Sequence, residues 1–480
     1  MTSPHPSPLP LAAPSSVGVD AAGILRFVDA LESSPGQEPH GLVVLRHGAV
    51  IARGWWSPYS PERPQLVYSL SKSFTAAAAG LLFDEGRLGL DEPVVSFFPE
   101  FADEITDPRT RRMLVRHVAS MSSGHLGEML ETAVATDGAE PVRGFLLHPP
   151  EREPGSVFAY NQPAAYTLAA IVQRLAGRTL VELLRERVLD PIGAGPVSWQ
   201  EHPAGRDLGF TGSFMTTDTI ARLGQLLLRR GVWGDRRILS DEWVGLATGR
   251  QVETVPDRAA AADSDWAQGY GFQHWQARHG FRGDGAIGQF CLVLPEQDAV
   301  VAIQAQSPDM QQTLDAAWRH LLPAFGGPGT PDADAELARR LAAATLPPLR
   351  VDGAEPAAEW DGARLVAGWL TVAVRRTVDG WRAVLTGATG DVEAAFVPGA
   401  TGMTDAARWR VTDEGGPVVA VSGGFATPDR LALDVAFLET PHRLHVVLDL
   451  PGRTGTAAWE AAPLREPHDL RVLAAPRPFG

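Results

Sequence analysis

The order of the predicted elements along this chain of 480 residues indicates an α+β domain followed by a smaller, β-rich domain. Strand-like apolar runs occupy residues 41–56 and recur between residues 269 and 305, while the residues between them are mostly typical of helices. Strands at both ends of a helical middle predict one antiparallel sheet shared by the two ends of the domain. Beyond residue 350, short apolar stretches are separated by Gly, Pro and Asp turns, which predicts a β-rich domain.

The individual elements of the first domain follow from local patterns. Residues 41–56 predict two strands around a turn at His47-Gly48. Apolar residues at helical spacing predict helices over residues 69–86, 164–190, 216–231 and 309–322. Further strands are predicted over residues 269–275, 289–294 and 299–305. The single cysteine, Cys291, lies in one of these strands, where we expect a small buried side chain rather than a nucleophile.

Composition divides the chain into four segments. Residues 1–20 are rich in Pro and Ser and contain no Lys or Arg, so we expect a flexible leader and not a secretory signal. The first domain then covers residues 21–325. Gly-rich and Pro-rich stretches bracket residues 326–350, which predicts a linker around a short helix. The β-rich domain covers residues 351–480.

Charge and composition exclude several classes of function. The chain has 57 acidic and 42 basic residues, a net charge of −15, and this field repels nucleic acids. No apolar run is long enough for a transmembrane helix, so we expect no membrane partner. One cysteine allows no intrachain disulfide, which favours a cytoplasmic location. The chain shows no nucleotide-binding signature and no closely spaced histidines, so we expect neither cofactor nor metal.

Lys72 stands out because it is the only lysine among the 42 basic residues, all the others being arginine. A deprotonatable amine is what lysine offers and arginine does not. Lys72 is also the only charged residue between Gln65 and Phe83, so its helix is expected to be buried. Burial disfavours the ammonium form and makes the neutral amine accessible near pH 7.

Ser69 precedes Lys72 by three residues and therefore shares its helix face. A serine hydroxyl is a weak nucleophile that needs a nearby base to take its proton, and the amine would be such a base. At a helix start, free N–H groups would also favour developing negative charge on a bound substrate. The alternative is a lone lysine on a helix flank, with Ser69 as a plain N-cap.

Separated motifs in this chain resemble, in the expected order, the serine β-lactamase and penicillin-binding superfamily, especially class C β-lactamases and related esterases. The first is Tyr-Ser-Leu-Ser-Lys-Ser-Phe-Thr at residues 68–75, which contains the Ser-x-x-Lys tetrad. Residues 84–94 and 117–125 are similar to segments that follow the nucleophile helix and precede an all-helical insertion. The resemblance covers roughly residues 20–325 and implies an antiparallel sheet flanked by helices, with that insertion.

The second element of that family, Tyr-x-Asn or Tyr-x-Ser, is matched by Tyr160-Asn161-Gln162. The resemblance implies that Tyr160 relays protons between Ser69, Lys72 and the leaving group. A phenol beside an ammonium is expected to have a lowered pKa. Gln162 stands where Asn or Ser is usual, so either Asn161 or Gln162 could hold the substrate carbonyl. A core tyrosine with a satisfied hydroxyl is the alternative for Tyr160.

The third element, Lys-Thr-Gly or His-x-Gly, falls within residues 279–289. Arg282 then takes the place of the family's Lys or His, and Asp284 takes the place of its Gly. The resemblance implies that Arg282 binds a substrate carboxylate, with His279 as the competing candidate. An acid at position 284 is unlike a true β-lactamase and argues against the penicillin carboxylate as the evolved ligand. The alternative is a Gly-rich hairpin with a solvated Arg282.

Together the motifs predict a serine hydrolase that acts on a small ester or amide through a covalent acyl-enzyme. The backbone N–H groups of Ser69 and near Gly285 are expected to form the oxyanion hole. An α/β-hydrolase would show Gly-x-Ser-x-Gly, which the chain lacks. The open alternatives are an acyltransferase on the same scaffold, a β-lactamase, and a penicillin-binding sensor that is acylated once.

Overall fold

A six-stranded antiparallel sheet lies at the centre of the first domain, in the order β2-β1-β11-β10-β9-β8. The structure is a computed structural model that describes residues 9–351, 353–397, 404–414, 416–465 and 468–477. Its strands are β1 Glu38–Arg46, β2 Ala49–Trp55, β3 Gln65–Leu66, β4 Ser198–Trp199, β5 Ser213–Met215, β6 Val232–Trp233, β7 Arg236–Arg237, β8 Trp275–Gln276, β9 Phe281–Gly285, β10 Gln289–Leu294, β11 Ala299–Gln306, β12 Arg364–Ala367, β13 Leu370–Thr377, β14 Gly380–Thr386, β15 Asp391–Phe396, β16 Arg410–Thr412, β17 Val419–Thr427, β18 Arg430–Phe437, β19 Arg443–Asp449 and β20 Thr454–Trp459.

Helices cover both faces of this sheet, and the chain as described has thirteen, of which α13 belongs to the C-terminal domain. They are α1 Ala21–Ser33, α2 Ser71–Asp84, α3 Pro108–Arg111, α4 Val115–Ala119, α5 Leu130–Thr136, α6 Pro141–Leu146, α7 Gln162–Ala176, α8 Leu180–Leu184, α9 Thr217–Leu228, α10 Asp241–Thr248, α11 Met310–Ala316, α12 Pro331–Ala342 and α13 Asp405–Arg408. Side chains alternate between the faces of β1: Val43 and Leu45 join the core of α2, α7 and α9, whereas Leu42 and Val44 join that of α1, α11 and α12. The predicted α+β architecture with one antiparallel sheet is confirmed.

The helical middle departs from the prediction at one glycine. Residues 164–190 were expected to form one helix, but α7 ends at Ala176 and Gly177 adopts the left-handed conformation, with φ of 70°. A glycine takes this conformation without steric cost, so the chain turns and α8 begins a new direction at Leu180. The expectation of a single helix here is therefore wrong.

The segment before the first domain is also more ordered than expected. Leu11 forms a β-bridge with Val50, and Val19 is fully buried beside Phe325. The expectation of a flexible leader is therefore wrong for residues 9–20, and residues 1–8 lie outside the described residues. The short helix expected in the linker is α12, whose Leu341 packs on Gly54 of β2.

The C-terminal domain is built on a nine-stranded sheet in the order β15-β14-β13-β12-β20-β19-β18-β17-β16. Only β12 and β20 pair in parallel among these strands. The sheet curls so that its edge strands meet, with the Ala395 N–H donating to Thr412 Oγ1 at 3.2 Å. Trp360, Trp381 and Phe425 lie in the apolar core inside this curl. The prediction of a β-rich domain is confirmed.

Within the ranges that the structure describes, no helix has the length and apolarity needed to cross a membrane.

Candidate active site

Ser69 lies in a tight turn that joins strand β3 to helix α2. Residues Tyr68–Leu70 form one turn of 3-10 helix, and α2 begins at Ser71, two residues later than the sequence predicts. Tyr68 has a φ of 48°, a left-handed conformation that costs energy for any residue with a Cβ. This strained turn leaves Ser69 half-exposed, whereas α2 is buried from Ser71 to Leu82.

Lys72 points from α2 toward the Ser69 hydroxyl, as the three-residue spacing predicts. Its Nζ lies 3.0 Å from Ser69 Oγ, 2.7 Å from Gln162 Oε1 and 2.7 Å from the Phe210 carbonyl oxygen. The last two atoms can only accept hydrogen bonds. A neutral amine has two N–H bonds, and donating both of them to these acceptors leaves its lone pair facing Ser69.

The surroundings of Lys72 favour that neutral form. Burial lowers the pKa of Lys72 from its ordinary value to about 7, because the ammonium loses its hydration. The carboxylates of Glu128 and Asp284 oppose this shift by attracting the positive charge. A substantial fraction of the amine is therefore unprotonated near neutral pH, as the sequence predicts.

Tyr160 completes the group around Ser69, and its hydroxyl interacts with that of Ser69. Its ring stacks on Trp275 with centroids 5.4 Å apart and meets Tyr270 edge-on, while Lys72 Nζ lies 4.8 Å from its centre. Burial and the negative charge of Asp284 raise the pKa of Tyr160 well above its ordinary value. The expectation of a lowered pKa is wrong, because desolvation and Asp284 outweigh the lowering by Ser69 and by the Arg282 charge. Tyr160 is therefore a protonated phenol that can donate a hydrogen bond.

The structure separates the two amide side chains that follow Tyr160. Gln162, the first residue of α7, turns its side chain into the site and binds Lys72. Asn161 is fully buried and its Oδ1 accepts a hydrogen bond from the Met129 N–H at 3.2 Å. Only Gln162 is therefore placed to meet a substrate.

Arg282 does not face the substrate, contrary to expectation. It is fully buried, its Nε lies 2.9 Å from Asp284 Oδ2, and its Nη1 donates to the carbonyl oxygens of Asp265 and Gln276. Its guanidinium also lies 4.7 Å from the Trp266 ring centre. The prediction that Arg282 presents a cation to a carboxylate, or is solvated, is wrong, because Arg282 is buried and its Nε and Nη1 are bound inside the protein, while Nη2 has no hydrogen-bond partner.

His279 also lies away from the nucleophile. Its ring packs edge-on against Trp318, with centroids 5.1 Å apart, and it does not line the cleft at Ser69. Asp284, by contrast, interacts electrostatically with both Lys72 and Tyr160. Burial raises the pKa of Asp284, and the adjacent Arg282 opposes that shift. The third element thus presents the carboxylate of Asp284, paired with the buried Arg282, where a free cation was expected.

Strand β9 lies against the nucleophile turn because it has glycines at the points of contact. A Cβ at Gly285 would clash with the Val67 carbonyl oxygen, and one at Gly283 would clash with the Ser73 hydroxyl. The backbone around Gly285 therefore approaches the chain beside Ser69, which is the placement that an oxyanion hole requires.

Several residues of the site carry no recognisable motif. The Phe210 carbonyl oxygen binds Lys72, but a backbone atom leaves no trace in the amino-acid sequence. Glu128 accepts hydrogen bonds from the Gln162 N–H at 3.2 Å and lies at the start of α7, where a carboxylate is stabilised. In the amino-acid sequence, Glu128 looks like an ordinary exposed acidic residue of a loop.

Ser69 opens into a cleft of about 500 Å³, within the usual range for sites that bind small molecules. The first domain contributes lining residues that include Gln162, Leu208 and Phe210, and the C-terminal domain contributes His442 and Leu464 among others. The arrangement contains a hydroxyl next to a neutral amine, a protonated phenol and a closely approaching glycine strand. These groups can activate the hydroxyl, stabilise an oxyanion and protonate a leaving group.

Comparisons with known proteins find similarity to hydrolases and esterases. The chain is 25% identical over 295 residues to the 6-aminohexanoate-dimer hydrolase of Paenarthrobacter ureafaciens, covering 56% of this chain and 72% of that protein. It is 26% identical over 207 residues to the esterase EstB of Burkholderia gladioli, covering 38% of this chain and 53% of that protein.

Among solved structures, the fold is similar to that of EstCE1, a hydrolase with promiscuous acyltransferase activity. The TM-score is 0.51 at 18% identity, and the match covers 64% of this chain and 99% of that one. The family model described as Beta-lactamase matches residues 31–324. The chain therefore belongs to the β-lactamase family, within the superfamily of serine hydrolases that also contains the penicillin-binding proteins.

Proposed function

We propose that this hydrolase cleaves a small ester or amide through a covalent acyl-enzyme on Ser69. The observation that carries the proposal is the position of Lys72, whose Nζ lies 3.0 Å from Ser69 Oγ and whose pKa is lowered to about 7. A base with a pKa near the working pH combines a useful unprotonated fraction with enough basicity. The esterase and 6-aminohexanoate-dimer hydrolase activities named for the relatives are consistent with this choice.

The proposed acylation begins when the neutral Lys72 amine takes the proton of the Ser69 hydroxyl. The Ser69 oxygen attacks the substrate carbonyl, and the backbone N–H groups of Ser69 and near Gly285 bind the resulting oxyanion. As the carbon–oxygen or carbon–nitrogen bond breaks, the Tyr160 phenol gives its proton to the leaving group. The Lys72 ammonium restores that proton to Tyr160, and every group but the acylated serine returns to its starting state.

Water then attacks the acyl-enzyme by the reverse sequence of proton transfers, which releases the acid and regenerates Ser69. Asp284 disfavours a carboxylate near the nucleophile because it is itself an acid, paired with Arg282 and acting electrostatically on Lys72 and Tyr160. An ester or amide without a carboxylate beside the scissile bond is therefore favoured over a penicillin.

The test is to label the protein with a fluorophosphonate and to locate the adduct by mass spectrometry. We expect one label, on Ser69, and loss of p-nitrophenyl ester turnover in Ser69→Ala. Steady turnover beyond one equivalent of product distinguishes the enzyme from a sensor that is acylated once. A label on another residue, or undiminished turnover by Ser69→Ala, would contradict the proposal.

A further inference from the structure

The cleft at Ser69 has two walls, and they come from different domains. Leu130, Leu208 and Phe210 line it from the first domain. The opposite side is lined by residues of the C-terminal domain, mostly apolar: His442, Pro463, Leu464, Arg465, Val472, Leu473 and Pro476. The β-rich domain is therefore part of the surface that a substrate of Ser69 would meet.

Leu464 is the residue of this second wall that most clearly indicates contact with a ligand. It is 62% exposed, one of the few large apolar side chains that the described residues leave open to solvent. An apolar side chain exposed in a concave site next to a nucleophile gains stability when a ligand covers it. Leu473 and Pro463 are buried close by and support an apolar surface.

Hydrogen bonds hold this wall against the nucleophile turn. The Tyr68 hydroxyl donates to His442 Nε2 at 2.6 Å, and His442 Nδ1 donates to the Ala461 carbonyl oxygen at 2.9 Å. Burial lowers the pKa of His442 to about 4, which agrees with a neutral ring that donates from one nitrogen and accepts at the other. The backbone of Leu464 also lies close enough to interact with the Tyr68 hydroxyl. Leu464 is thus tied to the residue that directly precedes Ser69.

Two charged side chains, Glu201 and Arg465, also line the cleft, and both are exposed. Glu201 accepts a hydrogen bond from the Gly205 N–H at 2.7 Å, and the Arg465 guanidinium lies 5.8 Å from the centre of the Phe210 ring. Between the walls the surface is dominated by leucine, valine, proline and phenylalanine side chains. Such a surface favours an extended apolar group over a charged one.

We propose that the C-terminal domain determines substrate selection by forming an apolar wall, with Leu464 as its main contact. The wall receives an extended apolar group attached to the scissile ester or amide. This inference rests on the proposed function, because it assumes that Ser69 is the nucleophile.

The test compares homologous substrates of increasing chain length. The wild-type protein is assayed with p-nitrophenyl esters from acetate to octanoate and with acetate esters of alcohols from methanol to hexanol. One of the two series varies the part of the substrate that lies in the cleft. In that series, we expect kcat/KM to rise about two- to fourfold for each added CH₂ until the cleft is filled. In Leu464→Asp, we expect the ratio between long and short substrates in that series to fall about tenfold or more. Leu464→Ala should lower the same ratio less.

A matched control keeps the test specific. Val378 is a fully exposed apolar residue of the same domain, outside the cleft, so Val378→Asp should leave the ratio between long and short substrates unchanged. Thermal unfolding of each variant establishes that the protein remains folded.

The wall proposal is overturned if neither series shows a chain-length dependence in the wild type, or if Leu464→Asp keeps the wild-type ratio. A small fluorophosphonate separates this failure from failure of the proposed function. When Ser69 is labelled normally but the ratios do not change, only the wall is contradicted. When Ser69 is not labelled, the proposed nucleophile is wrong.

Discussion

At the scale of single residues, the protonation of Lys72 decides when the proposed nucleophile can react. The ammonium has no lone pair, so only the neutral amine can take the Ser69 proton. Because burial brings the pKa of Lys72 to about 7, kcat/KM should fall tenfold per pH unit well below pH 7 and reach a plateau above it. The measurement is kcat/KM of a neutral ester between pH 5 and pH 9. A flat profile across this range would contradict the assignment of the base.

Glu128 offers a way to move that profile. Its carboxylate raises the pKa of Lys72 by stabilising the ammonium, so Glu128→Gln should lower this pKa and shift the acid limb toward lower pH. Glutamine keeps an oxygen that can accept from the Gln162 N–H. Glu131→Gln is the control, because Glu131 is exposed one turn further on and does not contribute to the pKa of Lys72. A shift in the opposite direction would exclude Glu128 from the electrostatics of the site.

Lysine cannot be replaced by arginine at position 72. A guanidinium remains charged at any pH at which the protein is folded, so Lys72→Arg removes the base while keeping the cation. We expect Lys72→Arg and Lys72→Ala to lower kcat/KM by similar factors, about 10² to 10⁴. Ester hydrolysis by the purified variants measures this, with circular dichroism to establish folding. An active Lys72→Arg protein would show that another group is the base.

At position 282, by contrast, arginine cannot be replaced by lysine without a loss of stability. Its fork binds Asp284 and the carbonyl oxygens of Asp265 and Gln276 together, whereas a lysine has one charged nitrogen that cannot reach all three. Arg282→Lys should therefore destabilise the protein by about 1–3 kcal/mol through unsatisfied buried acceptors. Urea unfolding measures this free energy. A stability equal to that of the wild type would contradict the buried role of Arg282.

At the scale of elements, the contact between β9 and the nucleophile turn depends on glycine. Gly285→Ala would push a Cβ into the Val67 carbonyl oxygen and separate the strand from Ser69. We expect kcat to fall by about 10² or more, since misplaced donors no longer stabilise the oxyanion. Gly127→Ala is the matched control, because a Cβ at Gly127 meets no atom within 4 Å. Equal kcat values in the two variants would place the oxyanion hole elsewhere.

Sequence patterns predict those elements that depend on near neighbours. The run at residues 289–294 has the bounds of β10, and the Ser69–Lys72 spacing predicts their contact, because both patterns are local. The break after α7 was missed because its cause is the left-handed conformation of Gly177, which the amino-acid type allows but does not require. Arg282 and Asp284 are two residues apart, and side chains at that spacing lie on the same face of a strand, so their pairing follows from the strand period. The resemblance instead assigned Arg282 to the family's Lys or His position, where it would face a substrate.

At the scale of the whole molecule, contacts across the two domains are invisible to any local pattern. Tyr68 and His442 are 374 positions apart in the chain, and their hydrogen bond decides which surface faces Ser69. The two domains also share an apolar core, in which Trp409, Val418 and Leu438 pack with Tyr59 and Leu346. The boundary near residue 350 therefore marks a change of composition and not a division into independent units.

Arg443 joins the two domains through buried ion pairs. It pairs with Asp434 of β18, with Nε at 2.8 Å from Oδ1, with Glu38 of β1, and with the Pro347 carbonyl oxygen at 3.2 Å. All three charged side chains are nearly buried, at 9%, 2% and 11% exposure for Arg443, Asp434 and Glu38. Removing the cation would leave two carboxylates with only His40 and His445 beside them, which is costly in a buried site.

Arg443→Ala should therefore lower the free energy of unfolding by about 3–5 kcal/mol. Arg375→Ala, at an exposed arginine of the same domain, should change it by less than about 0.5 kcal/mol. Denaturant unfolding followed by tryptophan fluorescence measures both, and the wild type should unfold in one transition because its domains share a core. If Arg443→Ala keeps wild-type stability, or if the wild-type domains unfold separately, the domains are not joined energetically as their contacts indicate.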